Sequence, residues 1–256
     1  MINLSAFIHK NSYIANDAIV HENVYIGEKC TIGNNVEIGQ NTIICKNTIL
    51  GNNTKIYPNS YIGGDPQDKN YNNDDTYLKI GENNIIREFV SIHRGASKED
   101  QTTYIGNNCY IMCNAHIGHN CRVGNNVIIT SYTGLSGHVI VDDFANISGF
   151  VAVHQFVRIG KYAMVGGMSR IVQDVIPFAI VEGNPARLRG LNVVGLKRNN
   201  FENKKIALLR NVIKLFMKRK YTIKEIISML DRYEYFPEVE YMRMFLSDSK
   251  RGYTRK

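Results

Sequence analysis

No stretch of this 256-residue chain approaches the ~20 consecutive apolar residues that span a bilayer. The amino-terminal MINLSAFIHK also lacks the apolar core of a secretory leader. These two absences predict a cytoplasmic protein without a transmembrane segment. The cysteines are few and unpaired: residues 30, 45, 109, 113 and 121 are odd in number and contain no C-x-x-C. A disulfide framework and a zinc knuckle are therefore disfavoured, and reduced, partly buried thiols are expected. RNA-binding motifs and recurrent stacking aromatics are missing too, which gives nucleic-acid binding no support. Composition is otherwise ordinary for a globular protein, at 44% hydrophobic and 21% charged. Charge, however, is unevenly spread. Residues 1–128 hold 10 Lys and Arg against 12 Asp and Glu, whereas residues 129–256 hold 21 against 11. The cationic second half is either a solvated face or an attractor of anions: a nucleotide, an acidic protein, nucleic acid or a membrane surface.

What the chain does contain is a period of six. Starting at Ile2, every sixth residue through Ile62 is a branched aliphatic. The register breaks over 63–79, resumes at Ile80, Ile86 and Ile92, breaks again over 93–104, and then runs from Ile105 to Ile171. Small or β-branched residues sit two positions earlier, as at Ser12, Ala18, Cys30, Thr42 and Ala115, and Gly often follows, as at 27, 33, 39, 106 and 124. A helix needs a period of 3.6 and an alternating strand a period of 2. A strict six instead predicts a parallel β-helix whose coils stack ~4.8 Å apart, each aliphatic inward and each glycine permitting a corner. The two breaks then read as excursions from the solenoid, where function commonly resides.

After about Gly190 the six-residue period vanishes. Residues 199–218 show helical periodicity through Phe201, Leu208, Leu209, Val212 and Phe216. Thr222-Ile-Lys-Glu225 is a capping box that opens a second helix, and a third follows Pro237. The reading is thus mainly β: a β-helix over 1–189 with excursions at 63–79 and 93–104, then a small C-terminal α-helical domain over 190–256. The closing KRGYTRK is expected to fray.

Four of the seven histidines, His116, His119, His138 and His154, fall within 39 residues. With three hexads to a coil, the last three lie within one residue of a common register and share an edge, the outer pair ~10 Å apart. Such imidazoles suit either of two chemistries: a general base near neutral pH, or zinc ligation with an open position.

The wording around them resembles a known family. Asn114-Ala-His-Ile-Gly-His119-Asn-Cys121, Gly137-His138, His154-Gln155-Phe156, Gly183-Asn-Pro-Ala-Arg187 and Gly190-Leu-Asn-Val-Val-Gly-Leu-Lys-Arg198 are similar to the UDP-N-acetylglucosamine O-acyltransferases. Gly63-Gly-Asp-Pro-Gln67-Asp68 and Ile92-His-Arg-Gly95 belong to the same pattern. These hexapeptide-repeat enzymes begin lipid A biosynthesis on a left-handed parallel β-helix. The resemblance implies transfer of a 3-hydroxyacyl group from acyl carrier protein to the 3-position of UDP-GlcNAc, or of a close amino-sugar analogue. It makes His119 the base and the Gly137 backbone N–H the oxyanion donor. Gln67, Asp68, His116, His138, His154, Gln155, Asn192 and Arg198 match substrate-binding positions, Arg198 at a phosphate. Gly167 matches the residue at the end of the acyl groove and implies a long acyl chain. A homotrimer is implied, and neither a metal nor a cofactor beyond the donor's phosphopantetheine. The acidic carrier and the pyrophosphate are anions to which the basic second half is suited.

Four positions depart from the family pattern: Asn120 stands where an acid usually follows the base, Asn70 precedes Tyr71 in place of lysine, Val194 replaces an acid, and Asn199 an arginine. Competing readings are a zinc enzyme like the γ-class carbonic anhydrases, a short-chain acetyl-CoA-dependent sugar acyltransferase, and a non-enzymatic solenoid.

Overall fold

A computed structural model describes residues 1–97, 100–218, 220–231, 233 and 236–255. The chain winds as a left-handed parallel β-helix of triangular section. Among the described residues its strands form three sheets, of nine, eight and ten strands, which are the faces of the prism. Face 1 runs from Phe7–Ile8 to Arg170–Ile171, face 2 from Tyr13–Ile14 to Arg158–Ile159, and face 3 from Ile19–Val20 to the terminal hairpin Ala179–Glu182 and Arg187–Leu191. Strand partners such as Tyr25↔Ile43 and Thr31↔Ile49 are 18 residues apart, so one coil is three hexads. The inward aliphatics Ile26, Ile32, Ile38, Ile44, Ile117 and Val165 are 0% exposed and fill the prism. Each contributes about 1.5–3 kcal/mol of burial.

The corners correct one expectation. The left-handed residue is not the glycine after each aliphatic but the third residue after it: Asn23, Asn35, Asn41, Asn53, Asn59, Asn108, Asn114, Asn120 and Asn126 all have φ between 53° and 60°. Asparagine tolerates this region, and its short amide bonds locally. On the early coils these amides also form ladders, Asn23 to Asn41 to Asn59 on one edge and Asn35 to Asn53 to Asn83 on another. The glycines answer a different need, which is close stacking. A Cβ on Gly124 would sit 2.5 Å from Asp143 Oδ1, and one on Gly27 2.9 Å from Lys46 N.

The excursions are shorter than the broken register suggests, because Gly63, Gly64, 77–79, His93 and 102–104 belong to strands. The first lengthens a coil so that Tyr61 pairs with Ser91; the second makes Ser91 pair with His116. At the far end the hairpin turns antiparallel and stops the solenoid. Four helices follow among the described residues: α1 (Val193–Arg198), α2 (Asn203–Met217), α3 (Ile223–Leu230) and α4 (Pro237–Ser247). α2 buries Ile206, Leu209, Val212, Ile213 and Phe216; α3 opens on the Thr222–Glu225 capping box; α4 buries Val239, Met242, Phe245 and Leu246. The Tyr241 hydroxyl donates to the Asp142 carboxylate and so docks α4 on the prism.

The expected fraying of the final residues is also corrected. Thr254 N–H donates to Asp174 O at 2.8 Å, Asp174 N–H to Gly252 O at 2.9 Å and Leu188 N–H to Arg255 O at 2.9 Å. Tyr253 is 3% exposed, its ring edge-on to Phe216. Residue 256 lies outside the described residues.

Stacking predicts a contrast between two glycines. Gly124→Ala is expected to lower stability by about 1–3 kcal/mol through overpacking. Gly134→Ala, whose Cβ would meet nothing within 4 Å, is expected to leave it unchanged or slightly raised. Calorimetric melts of the two variants beside the parent check both signs.

Candidate active site

The turns joining face 1 to face 2 on three consecutive coils are 118–121, 136–139 and 154–157. Coil register places His119, Gly137 and Gln155 one above another, and Asn120, His138 and Phe156 in the next column. The histidines therefore meet diagonally. His119 and His138 rings are 5.2 Å apart and edge-on, and His138 stacks on Phe156 at 4.6 Å. His154 is exposed one position earlier, its Nδ1 3.1 Å from Gln155 O.

Gly137 lies against the His119 ring, where an added Cβ would come within 2.7 Å of both Cε1 and Nε2. Coil-to-coil bonds use the neighbouring Ser136 and His138 N–H groups, at 3.1 and 2.9 Å. His119 Nδ1 is 2.9 Å from Asn120 Oδ1, which points the opposite nitrogen toward a cleft of about 400 Å³. Gln67, from the first excursion, reaches this cleft, as do His116, Gly134, Gly137, Ala152 and Gln155. Asp68 stays in its loop, where its carboxylate accepts from Asn70 N–H at 2.9 Å in an Asx turn.

Two residues of the cluster had no assigned role in the sequence. Ser91 Oγ is 2.9 Å from His116 Nδ1 and the His93 ring 5.3 Å from that of His116. Ile92-His-Arg-Gly95 was visible as a motif, but only coil register brings it beneath His116. Burial holds both His93 and His116 below the ordinary imidazole value, so they are neutral over a wider pH range. The buried Cys121 thiol is pushed up to about 12 by desolvation, which leaves it a poor nucleophile. Among the described residues no three His, Cys, Asp or Glu side chains converge as a metal ion would need.

The remaining sequence-selected residues lie elsewhere. Asn192 caps α1: its Oδ1 accepts from Gly195 N–H at 3.0 Å, and its Nδ2 donates to Tyr162 O at 2.8 Å. With Arg198 it lines a cleft of about 500 Å³ over face 3, floored by Ile128, Asn146 and Met164. Gly167 sits on the corner between faces 3 and 1, where a Cβ would meet only Gly149 O at 3.4 Å and Ser148 Cβ at 3.9 Å. Face 1 between that corner and His119 is paved by Gly134 and Ala152, a shallow trough of small residues. The chain thus carries the histidines and the Asn192–Arg198 pair in separate clefts.

Known proteins place these features in context. A family model described as "Udp N-acetylglucosamine O-acyltransferase; Domain 2" matches residues 174–254, and one for bacterial transferase hexapeptides matches 29–64 and 102–137. An acyl-[acyl-carrier-protein]–UDP-N-acetylglucosamine O-acyltransferase of Gloeothece citriformis is 40% identical over 72% of this chain and 67% of its own length. Its namesake in Vibrio atlanticus is 40% identical over 74% and 72%. The Francisella novicida UDP-N-acetylglucosamine acyltransferase structure superposes with a TM-score of 0.98 at 35% identity, over 100% of this chain and 94% of that one. The Campylobacter jejuni enzyme gives 0.95 at 34% identity, over the whole of both chains.

The contact between Gly137 and His119 yields a prediction. Gly137→Ala is expected to displace the imidazole and cut turnover at least 10-fold without unfolding the prism. Steady-state kinetics with a melt as the folding control test it.

Proposed function

Because the chain belongs to the UDP-N-acetylglucosamine O-acyltransferase family, we propose that it transfers a 3-hydroxyacyl group from acyl carrier protein to the 3-position of UDP-GlcNAc. This is the first step of lipid A biosynthesis, run here with His119 as general base. One observation carries the assignment of the base: His119 is tied through Nδ1 to Asn120 while its other nitrogen faces a cleft, with the Gly137 backbone against the ring.

The chemistry follows from those positions. The sugar 3-hydroxyl attacks the thioester carbonyl as its proton passes to His119 Nε2. Negative charge gathers on the carbonyl oxygen, and the Gly137 N–H stabilises it. Collapse of the tetrahedral intermediate expels the pantetheine thiolate, which takes the proton back from His119. Nothing in this sequence requires a resident cofactor, since the donor brings its own phosphopantetheine. Gln67 and Asp68 of the first excursion, together with His116, His138, His154 and Gln155, would hold the sugar and its diphosphate. The trough over Gly134 and Ala152, ending toward Gly167, suits a long acyl chain. Among the described residues no helix is long and apolar enough to cross a membrane, and we place the reaction in the cytoplasm.

Asn192 and Arg198 fit this scheme only across a boundary, because their cleft and that of His119 lie on different faces. In a threefold ring each protomer offers its histidine edge to the Arg198 side of the next. The prism of that ring ends with the strand Arg187–Leu191, two residues past the boundary expected at 189, and the helical unit that follows carries Arg198.

Two experiments test the proposal. Purified protein given UDP-GlcNAc and 3-hydroxyacyl carrier protein should acylate the sugar, and His119→Ala should lose about 10²–10⁴-fold in rate; near-normal turnover by that variant removes the base. Mixing inactive His119→Ala with inactive Arg198→Ala and allowing subunit exchange should restore roughly a quarter of the sites by random assortment around a ring. A site confined to one protomer restores none.

A further inference from the structure

Asn120 occupies a left-handed corner, φ 56°, as Asn114 and Asn126 do at 58° and 57°. The backbone alone therefore accounts for an asparagine here. It does not account for where the side chain goes. Asn120 is 5% exposed, and its Oδ1 receives the Ala96 N–H at 2.8 Å while lying 2.9 Å from His119 Nδ1. Its own N–H donates to Thr103 Oγ1 at 2.8 Å. Ala96 and Thr103 both belong to the second excursion or its flanking strand.

A peptide N–H only donates, so the amide atom facing Ala96 is the oxygen and not the nitrogen. That oxygen only accepts, so the hydrogen between it and the imidazole resides on Nδ1. Nε2 is then the bare nitrogen, the one able to take a proton. Ala96 settles which way the amide points, and the amide settles which nitrogen of His119 is basic.

We propose that the second excursion fixes the tautomer of His119 through the Ala96 amide and Asn120, which makes Asn120 a positioning residue that replaces the usual carboxylate. The proposal rests on His119 being the base. An amide supplies orientation without charge, and the surroundings add little. His93 and His116 are held neutral by burial, His138 stands edge-on to the ring, and Arg122 in the adjoining groove is paired with Asp100. The imidazolium formed in the reaction is thus less stabilised than it would be beside an aspartate.

Nitrogen-15 NMR of the intact, histidine-labelled protein reads the tautomer directly and needs no substrate; the His119 signals are those absent from His119→Ala. The expected wild-type state is Nδ1–H with bare Nε2. Asn120→Gly keeps the left-handed corner, which glycine adopts freely, and should give mixed tautomers with kcat reduced 10-fold or more and the sugar KM little changed. Asn120→Asp should retain the tautomer but move the acid limb of kcat/KM up by about 1–3 pH units, the effect of an opposite charge in contact. A wild-type Nε2–H state, an unchanged tautomer in Asn120→Gly, or superimposable pH profiles for wild type and Asn120→Asp would overturn the proposal. An inactive wild type with the expected tautomer would instead count against the assigned reaction.

Discussion

Backbone hydrogen bonds between successive coils hold this molecule together, and their spacing leaves little freedom anywhere else. His116 N–H to Thr133 O at 2.9 Å, Gly118 N–H to Leu135 O at 2.8 Å and their equivalents repeat on every face. For the bonds to continue round a triangle, each edge must turn within four residues, and the turn needs one residue in the left-handed region. Eighteen residues later the same demand recurs directly above. Residue type at an edge is consequently a property of a column: asparagine amides bond up the lower coils, and Tyr132 on Phe150 or Phe144 on Tyr162 stack ring on ring higher up. Gly27, Gly124 and Gly137 stand where the column leaves no space for a Cβ.

Function is written into the same columns. His119 stands under a glycine because a Cβ at position 137 would come within 2.7 Å of its ring. That glycine is also the residue whose N–H lies outside the coil-to-coil ladder formed by Ser136 and His138. The backbone beside His119 is held to the next coil, by Gly118 N–H to Leu135 O at 2.8 Å and by His138 N–H to His119 O at 2.9 Å.

Much of this was legible in the sequence, unevenly. The inward aliphatics announced the fold because a period of six has no other economical explanation, and the capping box at Thr222 and the proline at 237 marked their helices by local chemistry. The histidine edge followed from arithmetic on the coil. What stayed hidden depended on three-dimensional stacking. Glycine after an aliphatic looks like a corner residue, yet the corner is the asparagine two positions on. KRGYTRK reads as a polar tail, yet Tyr253 finds Phe216 and the backbone finds Asp174, partners nearly 40 and 80 positions away in the chain. Ser91 and His93 acquire a relation to His116 only because the second excursion adds its extra residues at that coil.

Arg94 ties the two excursions to each other. This side chain is 2% exposed. One terminal nitrogen donates to Gly63 O at 2.9 Å, and the other to Tyr71 OH at 2.8 Å and to the Asp65 carboxylate. Its neighbour His93 bonds the Asp65 carbonyl. A buried guanidinium needs a counter-charge and acceptors, and here both terminal nitrogens find them while the buried Nε has no partner among the described residues. The first excursion is therefore held against the prism by the opening residues of the second. Two residues further on, Ala96 reaches Asn120. The four residues from His93 to Ala96 thus hold the loop that carries Gln67 with one end and bond the Asn120 amide beside His119 with the other, so Gln67 and His119 are referred to one short, buried piece of backbone.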